Sequence, residues 1–249
     1  MTVAGVRAVI FDLGGTLVDW PGWDEDAPRR WSLAYEYAQS VLRGRPIPDA
    51  AAFIRAMRAA ELAHWRRVEM EQASQSPSEV VREGFRNLGI EATAEEIAAT
   101  LDGYGRAVRG WSIAFPDARA TLAELRGRGY RIGLLSNTWW APEWHNADLE
   151  LHGLAELLDV VAYTSALPRS KPHPSVFREV ADRLGVEART CAMVGDRTID
   201  DVAGALGAGM RAVWKANDRP WPRPAEVVPT ATITALAELP SLLREWGGP

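Results

Sequence analysis

The 249-residue sequence predicts an α/β protein: a doubly wound parallel sheet with an all-helical domain inserted early in the chain. Three observations carry that expectation. Residues 6–11 form a short apolar run that stops at Asp12 and is followed by Gly14 and Gly15, the pattern of a buried strand feeding a turn. Residues 20–111 then offer helical spacing and capping signals without a convincing strand. From Pro116 onward, short apolar runs alternate with helical stretches, the rhythm of strands covered on both faces.

Taken in order, the first strand over 6–11 leads into a turn at Gly14-Gly15. The insertion starts its first helix at Asp26-Ala27-Pro28, with proline near the first helical position, and ends it toward Gly44, Pro46 and Pro48. Asp49 caps a second helix carrying Phe53, Ile54, Met57, Ala60, Glu61 and Trp65 at three- and four-residue spacings. Ser76-Pro77-Ser78-Glu79 and Thr93-Ala94-Glu95-Glu96 are capping boxes for two more helices. Four helices therefore fit residues 20–111, read as a lid domain between the two parts of a core at 1–19 and 112–249. In the second part, helices are expected over 118–128, 141–151, 174–184 and 200–206, and strands over 130–135, 160–163, 191–194 and 212–214. A proline-rich loop over 219–224 and a last strand and helix within 230–246 complete the chain.

Composition narrows the function classes. A 47% hydrophobic content is ordinary for a globular protein, and a net charge of −5 with no basic block argues against a nucleic-acid surface. No apolar run reaches the length of a membrane span and no signal-peptide pattern opens the chain, so a cytoplasmic protein without membrane contact is expected. The one cysteine, Cys191, lies in an apolar run and reads as a packed strand residue. Of 28 basic residues only Lys171 and Lys215 are lysine, in a chain that otherwise uses arginine. A lysine kept against that background suggests a place needing a compact ammonium charge.

In an open α/β sheet, ligands bind beyond the carboxyl ends of the strands. Asp12, Ser136, the loop bearing Lys171, and Asp196 with Asp200 and Asp201 all fall at such ends. A carboxylate nucleophile, a hydroxyl donor, a fixed cation and several acids suit a dianionic phosphoryl group. Acids converging beside a nucleophilic acid repel one another unless a hard divalent cation balances them, and Mg²⁺ is the natural choice.

The order and local form of these pieces resemble the haloacid dehalogenase-like hydrolase superfamily. Its four motifs are similar to Asp12-Leu13-Gly14-Gly15-Thr16, Ser136-Asn137, Lys171-Pro172-His173-Pro174, and Gly195-Asp196 through Asp200-Asp201. The resemblance spans residues 5–19 and 112–235 and implies a Rossmann-like core, with the helical insertion as a cap. It implies hydrolysis of a small phosphorylated metabolite with Mg²⁺ as cofactor, by attack of Asp12 and an aspartyl-phosphate intermediate. Ser136 and Lys171 would hold the phosphoryl group beside the nucleophile, with Gly15, Thr16 and Asn137 lining the same site. The metal would sit on Asp12, the Gly14 carbonyl, Asp196 and Asp201, with the division of roles between Asp200 and Asp201 open.

One position departs from the phosphatase pattern. The family's phosphatases carry an aspartate two residues after the nucleophile to protonate the leaving oxygen, and here Gly14 stands in its place. General acid–base help is worth about 10²–10⁴-fold. The substrate then needs an acidic leaving group, or Asp19, Asp24 or a residue of the insertion substitutes. The alternatives are a metal-independent 2-haloacid dehalogenase, and a catalytically weak protein that binds a phosphorylated ligand.

Eleven tryptophans are many for this length, and Trp20, Trp23, Trp139, Trp140 and Trp144 fall near strand ends or the insertion's entrance. Packing between insertion and core is the ordinary reading, and a wall against the substrate is the functional one, with Trp20 and Trp140 as its candidates. His64 and His145 are expected in solvated or capping roles, and His173 in a turn. Arg66, Arg67, Arg106 and Arg109 read as a solvated face.

Overall fold

The computed structural model describes residues 5–23, 25–41 and 48–249. Strands β1 (Ala8–Phe11), β4 (Arg131–Ser136), β5 (Val160–Tyr163), β6 (Cys191–Gly195), β7 (Arg211–Lys215) and β8 (Ala231–Ile233) form one sheet in the order β5-β4-β1-β6-β7-β8. Every neighbouring pair is parallel, as the alternating pattern predicts. β1 sits between β4 and β6, so the chain leaves it toward one side of the sheet and later resumes on the other. That reversal opens the crevice in which doubly wound proteins bind ligands.

The sheet is buried on both faces because β1 alternates two sets of apolar side chains. Val9 and Phe11 join Leu122, Leu125, Ile132, Leu134, Val194 and Leu239 on one face, under α5 (Ala118–Gly127) and α9 (Leu239–Glu245). Ala8 and Ile10 join Val176, Phe177, Val180, Met193 and Ala205 on the other, under α7 (Pro174–Arg183) and α8 (Gly204–Gly207). Cys191 is buried in this second layer, as its apolar run predicts.

Between β2 (Val18–Asp19) and β3 (Ile113–Ala114) the described residues form four helices: α1 (Ala27–Val41), α2 (Ala50–Glu71), α3 (Pro77–Asn87) and α4 (Ala94–Val108). Asp49 caps α2 by accepting the Ala52 N–H, and the two predicted capping boxes close at Ser76–Glu79 and Thr93–Glu96. Gly44 and Pro46, expected near the end of the first helix, lie outside the described residues. The α2 stripe turns more than predicted: Ile54 and Trp65 are only partly buried, while His64 and Val68 join Phe53, Met57, Ala60 and Glu61 inside.

The antiparallel pair β2–β3 has no counterpart in the sequence reading, because two residues per strand leave no periodicity to detect. It joins the two chain passages between the sheet and the insertion. The expected helix over 200–206 also differs: Thr198–Ala203 is a wide π-helical turn, continued by the short α8. After β4, α6 (Pro142–Leu151) completes the described helices of the sheet's surroundings, and no described helix is long and apolar enough to cross a membrane.

Candidate active site

Asp12 is the first residue beyond β1, and its N–H still donates to the Val194 carbonyl at 2.9 Å. β4 ends on Ser136, and Asp196 follows the last residue of β6, so three strand ends deliver three polar groups to one edge. Lys171 arrives on the loop before α7. Asn137 clasps it there: the Lys171 N–H donates to Asn137 Oδ1 at 2.8 Å, and Asn137 Nδ2 donates to the Lys171 carbonyl at 2.9 Å. Asn137, expected to line the substrate site, thus spends its amide on positioning the lysine.

Lys171 Nζ donates to Asp12 Oδ1 and to Asp201 Oδ1, both at 2.6 Å. All three side chains are buried, so these charge-assisted bonds lie largely out of water's reach. The π-helical turn separates the two neighbouring acids. Asp201 turns inward, with its second oxygen accepting the Arg197 N–H at 2.9 Å, while Asp200 pairs with the Arg197 guanidinium at 3.2 Å. Of the two acids, Asp201 is the one beside Lys171, and Asp200 the one beside the Arg197 guanidinium.

Asp196 is held differently. Its Oδ2 accepts from Asn217 Nδ2 at 2.8 Å and its carbonyl from Trp214 Nε1 at 3.1 Å, while Oδ1 is buried with no hydrogen-bond partner. Gly15 makes this possible. It sits at φ +80°, and a Cβ there would collide with the Asp196 carboxylate. Gly195 is just as constrained, since a Cβ would run into Asp201.

The electrostatics follow from this crowding. Burial pushes the Asp12 carboxyl up to about 7, with Lys171 pulling against it and the charges of Asp201 and Asp196 adding to the rise. The Asp196 carboxyl is raised by burial and by Asp201. Lys171 is raised above an ordinary lysine, because attraction to Asp12 and Asp201 outweighs the burial that disfavours its charge. Asp12, Asp196 and Asp201 offer carboxylate oxygens within 4.8 Å of one another. The Lys171 ammonium is spent on Asp12 and Asp201, so Asp196 presents an unsatisfied hard oxygen donor. The residues fit a hard divalent cation.

The remaining candidates fall into two groups. Gly14, Gly15 and Thr16 form the turn beside Asp12, where Thr16 is fully buried with its hydroxyl unpartnered. Among the described residues beyond its chain neighbours, the only atoms within 4 Å of a Cβ built on Gly14 belong to the Trp20 ring, the nearest at 3.1 Å. An indole stands beside this position. Asp19 is no free acid: it accepts the Trp20 N–H at 2.8 Å and is ion-paired with Arg219. Asp24 lies outside the described residues.

Trp20 is only partly buried and donates to Asp148 Oδ2 at 3.2 Å. Trp140 is almost wholly buried, packing edge-on to Trp20 at 5.6 Å and stacking on His145 at 5.1 Å. The expectation of solvated or capping roles for His64 and His145 is corrected. Both are buried, and burial lowers them to about 4 and about 3 respectively. His145 packs against Trp20, Trp140 and Tyr163 and bonds Thr138 Oγ1 at 2.9 Å, a setting its local sequence does not encode. His173 accepts the Ser175 N–H at the start of α7. Arg66, Arg106 and Arg109 are exposed as expected, and Arg67 is partly covered.

Sequence reasoning missed the second lysine's role. Lys215, the last residue of β7, donates to the Gly15 carbonyl at 3.2 Å and lies 3.6 Å from the Phe115 ring centre. Both lysines of this arginine-rich chain therefore end on the loop around Asp12, and their scarcity was the available signal. Asn217 and Arg219 were missed because a proline-rich loop carries no periodic or motif signal. Arg30 was missed as well: fully buried, it donates to Tyr104 and to the Trp23 carbonyl between aromatic rings.

A family model described as haloacid dehalogenase-like hydrolase matches residues 6–209, which takes in all four site segments. The chain belongs to that family. A phosphatase of Mycobacterium tuberculosis is 30% identical over 213 residues, covering 83% of this chain and 86% of its own length. A glyceraldehyde 3-phosphate phosphatase of Methanothermobacter thermautotrophicus is 32% identical over 214 residues, 84% of each chain. Among solved structures, a 2-haloacid dehalogenase of Pseudomonas syringae superposes with a TM-score of 0.66 at 25% identity, covering 97% of this chain and 99% of that one. Family membership makes the protein an enzyme, a hydrolase. The names of these relatives include both phosphatases and a dehalogenase.

Proposed function

We propose that this hydrolase is a Mg²⁺-dependent phosphatase of small phosphorylated metabolites that works through an aspartyl-phosphate on Asp12. The observation that carries the reading is the buried cluster itself: Asp12, Asp196 and Asp201 converge, Lys171 pairs with Asp12 and Asp201, and Asp196 Oδ1 is left unpartnered. The bare Asp196 oxygen suits a cation, which attack on carbon does not need, and the phosphatase names among the relatives point the same way.

Asp12 and Asp196, with the Gly14 carbonyl, would hold the cation, and Asp201 stands beside them. When bound, Mg²⁺ supplies charge neutralisation at the phosphoryl oxygens. Lys171 fixes Asp12 Oδ1, leaving the other carboxylate oxygen to attack phosphorus. The new bond forms as the bond to the leaving oxygen breaks, and that oxygen keeps the electron pair. Ser136 and Lys171 would hold the phosphoryl oxygens through this step. Water then attacks the aspartyl-phosphate, releasing phosphate and restoring Asp12. Among the described residues an indole and not an acid stands beside Gly14, so the fitting substrates have acidic leaving groups: acyl phosphates, aryl phosphates or phosphoanhydrides. The helices of residues 20–111 would serve as the cap that excludes bulk water and brings in selectivity, with Trp20 at its edge.

The test is hydrolysis of p-nitrophenyl phosphate with Mg²⁺ and with excess chelator, beside halide release from a 2-haloacid. Expected is phosphate release that needs the metal and falls by at least about 10³-fold in Asp12→Asn. Halide release indifferent to chelator would establish the dehalogenase reading instead.

A further inference from the structure

The end of β7 and the loop after it lie outside the four motifs, yet they touch the site at four points. Trp214 donates its indole N–H to the Asp196 carbonyl at 3.1 Å, and Lys215 donates to the Gly15 carbonyl at 3.2 Å. Asn217 donates to Asp196 Oδ2 at 2.8 Å, and Arg219 is ion-paired with Asp19. The residues come from a strand end and the proline-containing loop beyond it, where Arg223 donates back to the Asn217 and Arg219 carbonyls. The segment is thus tied down at both of its ends.

Asn217 has the most consequential of these contacts. Asp196 offers two oxygens, and only one is bound to the protein: Oδ2 takes the Asn217 amide, while Oδ1 stays buried and bare. The carboxylate is hemmed in by Gly15, so its plane is set by that hydrogen bond and by the close backbone. The amide cannot serve equally well turned over. Asn217 Oδ1 already accepts the Arg219 N–H at 3.0 Å, and a flip would put oxygen against a carboxylate and nitrogen against an N–H donor. The donor therefore faces Asp196 by construction of the loop.

We infer that Asn217 is a positioning residue for Asp196, fixing the carboxylate so that Oδ1 is presented to a divalent cation. The inference rests on the cation reading given above. Partners behind metal-binding groups orient them and set their basicity, and their loss typically weakens metal binding 10–100-fold. In this chain the same loop also reaches Asp19, next to Trp20, so the acid's orientation and the edge of the helical insertion share one support.

The experiment titrates Mg²⁺ into the full-length protein, following binding by calorimetry and by the cation-induced rise in melting temperature. Wild type, Asn217→Ala and the milder Asn217→Ser are compared, each also melted in chelator. Expected is a Mg²⁺ dissociation constant raised 10–100-fold in Asn217→Ala, and less in Asn217→Ser, with melting in chelator close to wild type. A lower melting temperature in chelator with unchanged Mg²⁺ affinity, in whichever of the two variants folds, would overturn the positioning role and leave the cation reading standing. A wild-type protein that neither binds Mg²⁺ nor gains stability from it would overturn the cation reading, and this inference with it.

Discussion

The strand-end site and the interior of the helical insertion solve opposite problems with different residues. At the strand ends, charge is concentrated and each group is aimed by directed hydrogen bonds: Lys171 by the Asn137 amide, Asp201 by the Arg197 N–H, Asp196 by the Asn217 amide. In the insertion, Trp31, Phe53, Phe85 and Tyr104 pack as one aromatic core, in which Trp31 and Tyr104 also bond the buried Glu61 and Arg30, and Trp139 and Trp140 enter that core from the other part of the chain. Trp139 stacks on Trp31 at 5.8 Å and Trp140 lies next to it in sequence, only a few residues beyond Ser136. Directional bonds fix atoms to tenths of an ångström, whereas aromatic packing fixes a surface and tolerates neighbours of many shapes. The difference suggests that chemistry resides in the first region and that the second holds the insertion against the core.

The largest expected effect separates the two directly. Lys171→Met leaves Asp12 and Asp201 without their shared cation, so turnover of p-nitrophenyl phosphate should fall by about 10²–10³-fold or more. A variant that folds and keeps near-normal turnover would remove the lysine from the chemistry. Trp139→Ala should act in the opposite way. Removing a fully buried indole costs about 3–5 kcal/mol of unfolding free energy in urea titrations. Turnover per folded molecule should change little, and a loss like that of Lys171→Met would erase the proposed division.

The smallest expected effect lies at the border between the regions. His145 is buried and neutral, lowered to about 3 from its ordinary value near 6.5. The unfolded chain binds the proton more readily, so stability is full above about pH 6.5 and is lost as pH falls toward about 3. At pH 5 this amounts to about 2 kcal/mol of destabilisation from this group, with His64 acting in the same direction. His145→Phe should flatten the decline in urea midpoint between pH 7 and pH 5, and an unaltered slope would assign the acid sensitivity elsewhere.

The sequence by itself determined the sheet, its parallel sense and the groups at its edge. Strands of four to six residues with β-branched and apolar content have little choice of environment, and Asp12, Ser136 and Asp196 were readable because each adjoins a strand end. The helix starts at Asp49, Ser76 and Thr93 were equally legible, since a cap is a local bond within four residues. What only the tertiary structure decided is every contact made across long stretches of chain. Asp201 and not Asp200 meets Lys171 from a distant part of the chain, and the burial of His64 and His145 depends on surfaces brought from elsewhere. Lys215 reaches Gly15 across 200 positions, and Asn217 reaches Asp196 from a loop without a pattern. Local bonds leave a signature in the spacing of residues, whereas long-range ones are chosen by which surfaces the sheet order makes adjacent.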